Sequence, residues 1–508
     1  MGARARRPRP WPGRRPRVGI IGTGFSGLGM AIKLKEAGVE SFTLFEKNDG
    51  VGGTWRENTY PGAACDVPSH LYSFSFEPRP DWSRAFSPQA EILDYLEHCA
   101  DAYGIRPHIR FGAEVADLCF DEERAVWHLR TADGDEHELD VVVAGLGQLN
   151  RPAYPDVPGR DDFAGTSFHS ARWDHDHELR GERVAVVGNG ASALQFIPEI
   201  APDVERLTIF QRSANWVMPK PDHGFPAWLN ELFARYPAVE RLYRRRIYWG
   251  FESHWLWFKA DSRTGALMEK VARRYLDKAV ADPELRADLT PDYPLGCKRV
   301  LISNDYYRAV QRPNVELVTD RIDRIVPDGV VTTDGTTHEV DTIIWGTGFE
   351  TTHFLAPLQV TGRQGRTLEE VWRDGAEAHL GVAVAGFPNL FLLYGPNTNL
   401  GHNSIVFMIE CQVQLILRYL RELAAEGCAT IEVRPEAMAE FNRELQESAR
   451  DTVWDKGCTS WYKTDTGRIT NNWTRSTVSY WWRTRRPSFD DLELRPAPRR
   501  LAVPAVSR

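Results

Sequence analysis

Two glycine-rich stretches of this chain have the spacing of loops that bind the pyrophosphate group of a dinucleotide. They are GTGFSG at 22–27 and GNGASA at 188–193. In the first, Gly22 would make a tight turn, Gly24 would let the backbone approach a pyrophosphate, and Gly27 would let a helix pack closely on a strand. Two such stretches in one chain predict two bound dinucleotides.

The first stretch lies between a predicted strand and a predicted helix, as such a loop must. The apolar residues 17–21 predict the strand, and the helix is expected to end at Gly38. The first N–H groups of that helix would hold the diphosphate. Glu46 ends the next strand, 24 residues after Gly22, where a carboxylate can accept hydrogen bonds from a ribose diol. A second glycine loop, within GGTWRENTYPGAACD at 52–66, favours FAD as the ligand.

The second stretch also lies between a strand and a helix, within 182–201. The position that matches Glu46 holds Gln211, and Arg212 and Ser213 follow it. A carboxylate there would repel the 2′-phosphate of NADP, whereas a guanidinium can bind it with two charge-assisted hydrogen bonds. The second site is therefore predicted to bind NADP(H) rather than NAD(H).

Further elements must connect these loops. Apolar strands run into Gly-x-Gly at 141–152 and 342–349, which predicts that the chain returns to its first domain after the second. The predicted fold class is α/β, with two Rossmann-like dinucleotide-binding domains and a helical insertion. The predicted parts are a disordered tail at 1–16, an FAD-binding domain at 17–150 and 340–490, a linker at 151–177, an NADPH-binding domain at 178–219 and 294–339, a helical subdomain at 220–293 and a tail at 491–508.

The segment 395–423 predicts a turn followed by a long amphipathic helix. The start of that helix, around Gly401 to Ser404, could direct N–H dipoles at a reduced flavin. The 395–408 loop and the aromatic run at 246–258 are expected to contribute to a substrate pocket. Trp481 and Trp482 are expected to be packed in the interior rather than exposed to a membrane.

Composition excludes several classes of protein. The net charge of −8 and pI of about 6.0 give no electrostatic reason to expect nucleic-acid binding. The chain has no run of apolar residues long enough for a transmembrane helix. Seven cysteines without a C-x-x-C pair predict reduced thiols in a cytoplasmic protein, with no zinc or other metal site and no redox disulfide beside the flavin.

A family fingerprint lies between the two glycine-rich stretches, in FAGTSFHSARWD at 163–174. It fills every fixed position of the pattern FxGxxxHxxxW followed by Pro or Asp, with Phe163, Gly165, His169, Trp173 and Asp174. By this pattern the chain resembles type I Baeyer–Villiger monooxygenases, within the wider group of flavin-containing monooxygenases. Related N- and S-oxygenating flavoproteins usually carry another aromatic and a basic residue at the end, so the Trp-Asp ending favours the ketone-oxidising branch.

Two further segments extend the resemblance to about 17–490. The pattern GxWxxxx[Y/F]PGxxxD is matched by Gly53, Trp55, Tyr60, Pro61, Gly62 and Asp66. The segment CKRVLISNDYY at 297–307 resembles the family's stretch that bears its catalytic arginine. By that match Arg299 is the catalytic residue and Lys298 contacts the 2′-phosphate. Trp461 resembles a family tryptophan that touches the nicotinamide cofactor.

The resemblance implies an FAD- and NADPH-dependent monooxygenase that inserts one oxygen atom of O2 next to a ketone carbonyl. The product would be an ester or lactone, formed through a C4a-peroxyflavin. Arg299 would favour the deprotonated peroxide and stabilise the oxyanion that follows attack on the ketone. Asp66 would hold the guanidinium and offset its charge. His169 is expected to couple the orientation of the two domains rather than to act as a base.

Two alternatives stay open at this point. The same flavin chemistry would serve an S- or N-oxygenase, and a chain that binds both nucleotides could instead be a sensor or an NADPH oxidase. The expected partners are a small-molecule ketone and O2, and the oligomeric state is not predicted. The predicted site comprises Arg299 and Asp66 for catalysis, and Gly22, Gly24, Gly27, Glu46, Lys47, Gly53, Thr54, Trp55, Asp66, Tyr72, Gly188, Gly190, Ser192, Ala193, Arg212, Ser213, Lys298 and Trp461 for cofactor binding.

Overall fold

The computed structural model describes residues 11–455, 462–464 and 466–497, so Trp461 lies outside the described residues. Its strands are β1 (Val18–Ile21), β2 (Phe42–Phe45), β3 (Ile109–Arg110), β4 (Val115–Asp121), β5 (Val126–Thr131), β6 (Glu136–Leu139), β7 (Val141–Ala144), β8 (Thr166–His169), β9 (Arg183–Val187), β10 (Arg206–Phe210), β11 (Val217–Met218), β12 (Leu301–Ile302), β13 (Val315–Val318), β14 (Ile322–Val326), β15 (Gly329–Thr332), β16 (Thr337–Glu339), β17 (Thr342–Trp345), β18 (Gln359–Thr361), β19 (Leu390–Leu392), β20 (Cys428–Val433) and β21 (Leu492–Pro496). Its helices are α1 (Phe25–Glu36), α2 (Thr54–Glu57), α3 (Gln89–Ala102), α4 (Ala191–Ile200), α5 (Ala227–Arg235), α6 (Pro237–Ser253), α7 (Arg263–Ala279), α8 (Pro283–Asp288), α9 (Tyr306–Ala309), α10 (Leu368–Val371), α11 (Ile405–Ala425), α12 (Pro435–Ala449) and α13 (Thr477–Arg485).

A five-stranded parallel sheet follows the first glycine-rich stretch, with the strand order β19-β7-β1-β2-β3. Val18 of β1 lies opposite Phe42 of β2 and Val141 of β7. All residues of β1 and β7 are buried, which is typical of parallel strands covered by helices on both faces of the sheet. The sheet therefore presents the carboxyl end of β1, and with it the glycine turn, at one edge of the core.

The second sheet repeats this arrangement in the order β13-β10-β9-β17-β8. Strand β17 pairs in parallel with β9 and β8, so it belongs to the second sheet and not to the first domain, whose predicted bound was residue 340. Strand β8 lies within the predicted linker at 151–177. An apolar strand that ends in Gly-x-Gly suits either sheet, so the sequence pattern alone does not show which sheet it joins.

An arginine–aspartate pair fastens the first strand of each sheet in the same way. Arg17 donates to Asp140 through its backbone N and through Nη2, both at 2.8 Å. Arg183 makes the same two contacts with Asp341, at 2.8 and 2.7 Å. In each case the acid immediately precedes the strand that pairs with the arginine's strand. The two dinucleotide folds are thus closed by equivalent contacts at the end remote from the glycine loops.

The segment between the two halves of the second domain is helical, as α5 to α8 occupy 220–293. At the C-terminal end, β21 pairs antiparallel with β20, so the prediction of a tail from 491 is wrong for this strand. Only Leu492 of this strand is fully buried, which is too little apolar periodicity to mark a strand. None of the described helices is long and apolar enough to cross a membrane.

Residues 11–16 also belong to the fold, contrary to the predicted tail at 1–16. Trp11 packs against the core of the first domain, and Arg14 donates to Asp140 at 3.1 Å. These contacts join segments far apart in sequence, and a short Arg- and Pro-rich stretch shows no periodicity that would indicate them. Residues 1–10 lie outside the described part of the chain.

Among the described residues, one cysteine departs from the predicted state. Cys65, Cys99, Cys119, Cys411 and Cys428 are free thiols. Cys297 is disulfide-bonded, so the prediction that all thiols are reduced is wrong there. Spacing along the chain does not reveal which cysteines meet in the fold, because a disulfide requires only that two Cα atoms approach within a few ångströms.

Candidate active site

One large cavity of about 1570 Å³ runs between the two glycine-rich loops. This volume exceeds the roughly 300–1,000 Å³ of a site for a single small ligand, so there is room for more than one. All of the described residues predicted for the site line the cavity except Gly27 and Ala193, which are buried. The aromatic run at 246–258 does not line it, so that expectation is wrong, whereas Asn403 and Ile405 of the 395–408 segment do.

The first glycine loop fits a bound diphosphate. Gly22 has φ +93°, a conformation that side chains rarely adopt. A Cβ on Gly27 would lie 1.9 Å from the Gly22 carbonyl oxygen, so only glycine lets α1 pack this closely. Gly24 caps α1 without a side-chain hydrogen bond, which leaves the first N–H groups of the helix available to an anion. Gly53, with φ +52°, approaches the backbone of Gly24 from the second glycine loop.

Glu46 and Lys47 lie at the end of β2 beside this loop. The buried carboxylate of Glu46 accepts four hydrogen bonds, from the N and Oγ1 of Thr23 and from the N and Nδ2 of Asn48. A carboxylate has about four such acceptor positions, so these contacts hold Glu46 rigidly at the cavity wall. Lys47 forms an ion pair with Glu57 of α2, at 2.7 Å.

The second glycine loop has the same geometry. Gly188 has φ +103°, and a Cβ there would lie 2.5 Å from the carbonyl oxygen of Gly346. Gly190 caps α4 without a side-chain hydrogen bond, as Gly24 caps α1. Ala193 is fully buried and packs against Gly346, while Ser192 faces the cavity. This loop therefore also offers the N–H groups of a helix start to an anion.

A cationic cluster lies at the far end of the second loop. Lys298 donates to the Oγ of Ser213 at 2.7 Å, and both residues line the cavity together with Arg212. Burial and the positive charge of Arg212 lower the pKa of Lys298. Arg212 and Ser213 follow β10, and Lys298 precedes β12. Two cations and a hydroxyl group suit a dianion such as the 2′-phosphate of NADPH.

Arg299 and Asp66 meet in the cavity although they are 233 residues apart in sequence. Arg299 donates to one carboxylate oxygen of Asp66 from Nε, at 2.9 Å, and also from Nη2. Both side chains are about a third exposed, at 33% and 29%. The negative charge of Asp66 raises the pKa of Arg299, so the guanidinium stays charged. It has five N–H donors, and some remain for a further acceptor.

Aromatic hydroxyl groups surround this pair. Tyr60 donates to the Oε1 of Gln195 at 2.9 Å, and burial raises the pKa of Tyr60 to about 12. Burial likewise raises the pKa of Tyr394, which lines the cavity. The indole of Trp55 donates to the hydroxyl of Tyr72 at 3.3 Å. These tyrosines are neutral at physiological pH, so Asp66 is the group that balances the charge of Arg299.

The fingerprint residues lie outside the cavity, where they connect segments of the second domain. His169 is buried at the end of β8, its Nδ1 accepts from the backbone N of Ala171 at 3.0 Å, and burial lowers its pKa to about 4. Trp173 packs against Phe196 of α4, with ring centroids 5.3 Å apart. His169 does not line the cavity, and these contacts agree with a structural use of the residue.

Glu252 is a buried residue near the cavity that sequence reasoning missed. Its carboxylate accepts from Asn403 at 2.8 Å and from the hydroxyl of Thr477, and the Nε2 of His402 lies 3.7 Å away. Burial alone would raise the pKa of Glu252. Interactions with His402 and Thr477 outweigh burial, so the pKa is lowered overall. Glu252 thus joins α6 to the residues that precede α11. No sequence signal marks it, because its partners lie more than a hundred residues away in the chain.

Comparison with known proteins agrees with this geometry. Residues 15–245 match the family model described as flavin-binding monooxygenase-like. A Baeyer–Villiger monooxygenase of Streptomyces coelicolor is 46% identical over 494 residues, which cover 96% of this chain and 95% of that protein. A Baeyer–Villiger monooxygenase of Pseudomonas aeruginosa is 45% identical over 461 residues, or 91% of this chain and 88% of that protein.

Solved structures show the same likeness. A steroid monooxygenase bound to NADP superposes with a TM-score of 0.84 at 32% identity, covering 95% of this chain and 100% of that chain. A closed cyclohexanone monooxygenase superposes with a TM-score of 0.86 at 28% identity, covering 96% of this chain and 100% of that chain.

The fold and the cavity define a flavoprotein with two dinucleotide sites. This chain belongs to the Baeyer–Villiger monooxygenases of the flavin-binding monooxygenase-like family. It is an enzyme that uses FAD and NADPH to carry out Baeyer–Villiger oxygen insertion with O2 and a small-molecule substrate. The predicted family, fold class, activity and cofactors are confirmed, and the alternative of a non-catalytic sensor is set aside.

Proposed function

We propose that Arg299, held by Asp66, is the catalytic residue of this enzyme. We also propose that the substrates of the enzyme are apolar cyclic ketones. The observation that carries the proposal is the ion pair of these two residues in the cavity that both glycine-rich loops line. A guanidinium so placed can stabilise negative charge that develops on a ketone oxygen. When bound, NADPH supplies the hydride and FAD the centre at which O2 is activated.

The pair is suited to this role by its charge and its orientation. Asp66 binds the Nε and Nη2 edge of Arg299 and leaves other N–H groups for the substrate oxygen. Because the carboxylate fixes the guanidinium before substrate arrives, little reorganisation is needed when charge develops. In other enzymes, loss of one such donor costs about 2.7–4 kcal/mol of transition-state stabilisation.

The remaining predicted residues are proposed to hold the cofactors. The loops around Gly24 and Gly53 would bind FAD, and the loop around Gly190 would bind the pyrophosphate of NADPH. Lys298 and Arg212 would bind the 2′-phosphate. These assignments fit the free N–H groups of α1 and α4 and the paired cations described above.

The proposed substrate class is supported by apolar side chains in the wall of the cavity. Leu400, Ile405, Ile409 and Tyr394 line it, so an apolar substrate is favoured over a charged one. Relatives in the solved structures are named for cyclohexanone and for steroids, both of which contain rings. We therefore place apolar cyclic ketones first among the substrates to test.

The proposal is tested with purified, FAD-loaded enzyme, NADPH and ¹⁸O₂, using a panel of cyclic ketones beside a matched aryl methyl sulfide. The expected result is a lactone that contains one ¹⁸O atom, formed in step with NADPH consumption. Products from the sulfide alone would contradict the ketone assignment, and NADPH oxidation that yields only hydrogen peroxide with every ketone would contradict the proposed substrate class.

A further inference from the structure

Helices α5, α6 and α13 expose an unusual group of large apolar side chains. Seven of the twelve large apolar residues that are exposed in the described part of the chain lie on these helices or at the junction of α5 and α6. They are 38–66% exposed and comprise Trp228, Tyr236, Val239, Leu242, Trp249, Val478 and Trp482. Trp482 was expected to be buried and is 52% exposed. We name these seven residues the aromatic face.

The spacing along α6 places its members on one side of the helix. Val239, Leu242, Arg246 and Trp249 follow one another at intervals of three, four and three residues, which is one stripe of an α-helix. All four are exposed, whereas Glu240 on the other side of the helix is buried. The apolar stripe of α6 therefore points away from the protein, the reverse of an ordinary surface helix.

Helix α13 continues this face beside the C-terminal half of α6. The hydroxyl of Tyr248 lies 2.8 Å from that of Thr477, and Glu252 accepts from the backbone N of Val478 at 3.3 Å. Val478 and Trp482 are four residues apart and both exposed, so they lie on the same side of α13. The start of α13, with Val478, therefore lies beside the C-terminal half of α6.

Exposed arginines lie on the same helices as the aromatic face. Six exposed arginines lie on these helices or next to them, and none forms an ion pair with another described residue: Arg235, Arg241, Arg245, Arg246, Arg485 and Arg486. Arg486 lies over the ring of Trp482, 4.2 Å from its centroid. Glu231 is the one exposed acid on the three helices as the structure describes them. This basic surface belongs to a chain whose net charge is −8.

We propose that the aromatic face binds the surface of an anionic lipid bilayer. Tryptophan and leucine side chains insert at the boundary of headgroups and acyl chains, and arginines beside them attract anionic headgroups. A second copy of the chain is a poorer occupant, because a two-fold contact would place the six arginines of one copy against those of the other. The contact is interfacial, since no described helix can cross a membrane.

Binding of the aromatic face to a membrane would help apolar ketones to reach the cavity. This benefit rests on the proposed ketone chemistry. Glu252, next to the last residue of α6, accepts from Asn403, which lines the cavity. The membrane-bound side would thus adjoin the substrate end of the cavity, and apolar ketones concentrate in bilayers. Vesicle binding is measured without ketone or NADPH, so its outcome is independent of the proposed activity.

The test is sedimentation of the full-length, FAD-loaded enzyme with sucrose-filled vesicles. One set contains equal parts of phosphatidylglycerol and phosphatidylcholine, and the other contains phosphatidylcholine alone. We expect binding to the first set that weakens as salt is added. The triple variant R241Q/R245Q/R246Q should bind on the order of 100-fold more weakly, since each basic residue near an anionic surface contributes about fivefold to the affinity. W249S/W482S should also lose binding.

A matched control replaces an exposed apolar residue and an exposed arginine elsewhere, as F111S/R312Q, and should bind like the wild type. Flavin absorbance and melting temperature verify that each variant is folded. Equal affinity for both vesicle sets, or full binding by the two variants of the face, would overturn the proposal. So would a concentration-dependent dimer in analytical ultracentrifugation that W249S/W482S abolishes, because it would identify a second copy as the occupant.

Discussion

The cationic cluster at the second glycine loop makes a quantitative prediction about nicotinamide choice. Replacing Arg212 or Lys298 by alanine should lower kcat/KM for NADPH and leave kcat/KM for NADH almost unchanged, because NADH lacks the 2′-phosphate. Lys298 donates to Ser213, which follows Arg212 in the chain, and both cations line the cavity, so we expect them to share one phosphate.

The size of the effect follows from the contacts that would be lost. A hydrogen bond to a charged group contributes about 1.5–3 kcal/mol, which corresponds to roughly 10- to 150-fold in kcat/KM for each substitution. The double variant should lose less than the product of the two single effects. In the free enzyme each cation repels the other, and binding of the phosphate relieves this repulsion. Removal of either cation also relieves it, so the second substitution causes a smaller further loss.

The assay is steady-state consumption of the nucleotide in the presence of a cyclic ketone and O2, with NADPH and NADH over a range of concentrations. Arg312→Ala serves as the control, since Arg312 is an exposed arginine of the same domain that does not line the cavity. An equal loss with both nucleotides would show that the cluster acts on folding or on the nicotinamide end. No loss with either would refute the assignment of the 2′-phosphate site.

Three further predictions concern packing and charge around the cavity. Gly27→Ala should lose bound FAD, because a Cβ there would lie 1.9 Å from a backbone oxygen. Gly250→Ala should keep its FAD, because a Cβ there would meet nothing within 4 Å. Flavin content after gel filtration distinguishes the two variants. Glu252→Gln should raise KM for ketone about tenfold with little change in flavin reduction by NADPH, since it weakens one charge-assisted contact to Asn403; an unchanged KM would show that this contact does not shape the substrate end. Burial lowers the pKa of His169 from 6.5 to about 4, so the buried neutral imidazole costs the folded state stability as the pH falls from 6.5 towards 4. The free energy of unfolding in urea should therefore fall less for His169→Gln than for wild type over this range, by up to about 3 kcal/mol. Equal falls in the two proteins would contradict this role of His169.

Much of the fold follows from local sequence patterns. The strand, turn and helix around Gly22 and Gly27 are visible in the sequence because each requirement is local: an apolar strand, a positive φ and a close helix contact. The same holds for the second loop at Gly188. Arg212 could be singled out because its position is set by counting along a repeated βαβ unit.

Features set by contacts between distant segments could not be read in this way. Strand β17 joins the second sheet, and its pattern suits either sheet. The bond of Cys297 and the burial of Glu252 depend on which segments meet in space. The pairing of Arg299 with Asp66 was inferred from family motifs, because their separation of 233 residues leaves no periodicity to detect.

Arg299 is proposed to act in oxygen insertion and not in flavin reduction. The most direct measurement compares Arg299→Ala with wild type in both half-reactions: anaerobic flavin reduction by NADPH, and lactone formation from a cyclic ketone under O2. We expect reduction within a few-fold of wild type and a loss of lactone of at least about 100-fold, the effect expected from removing an oxyanion donor. Lactone formation at the wild-type rate would contradict this role of Arg299.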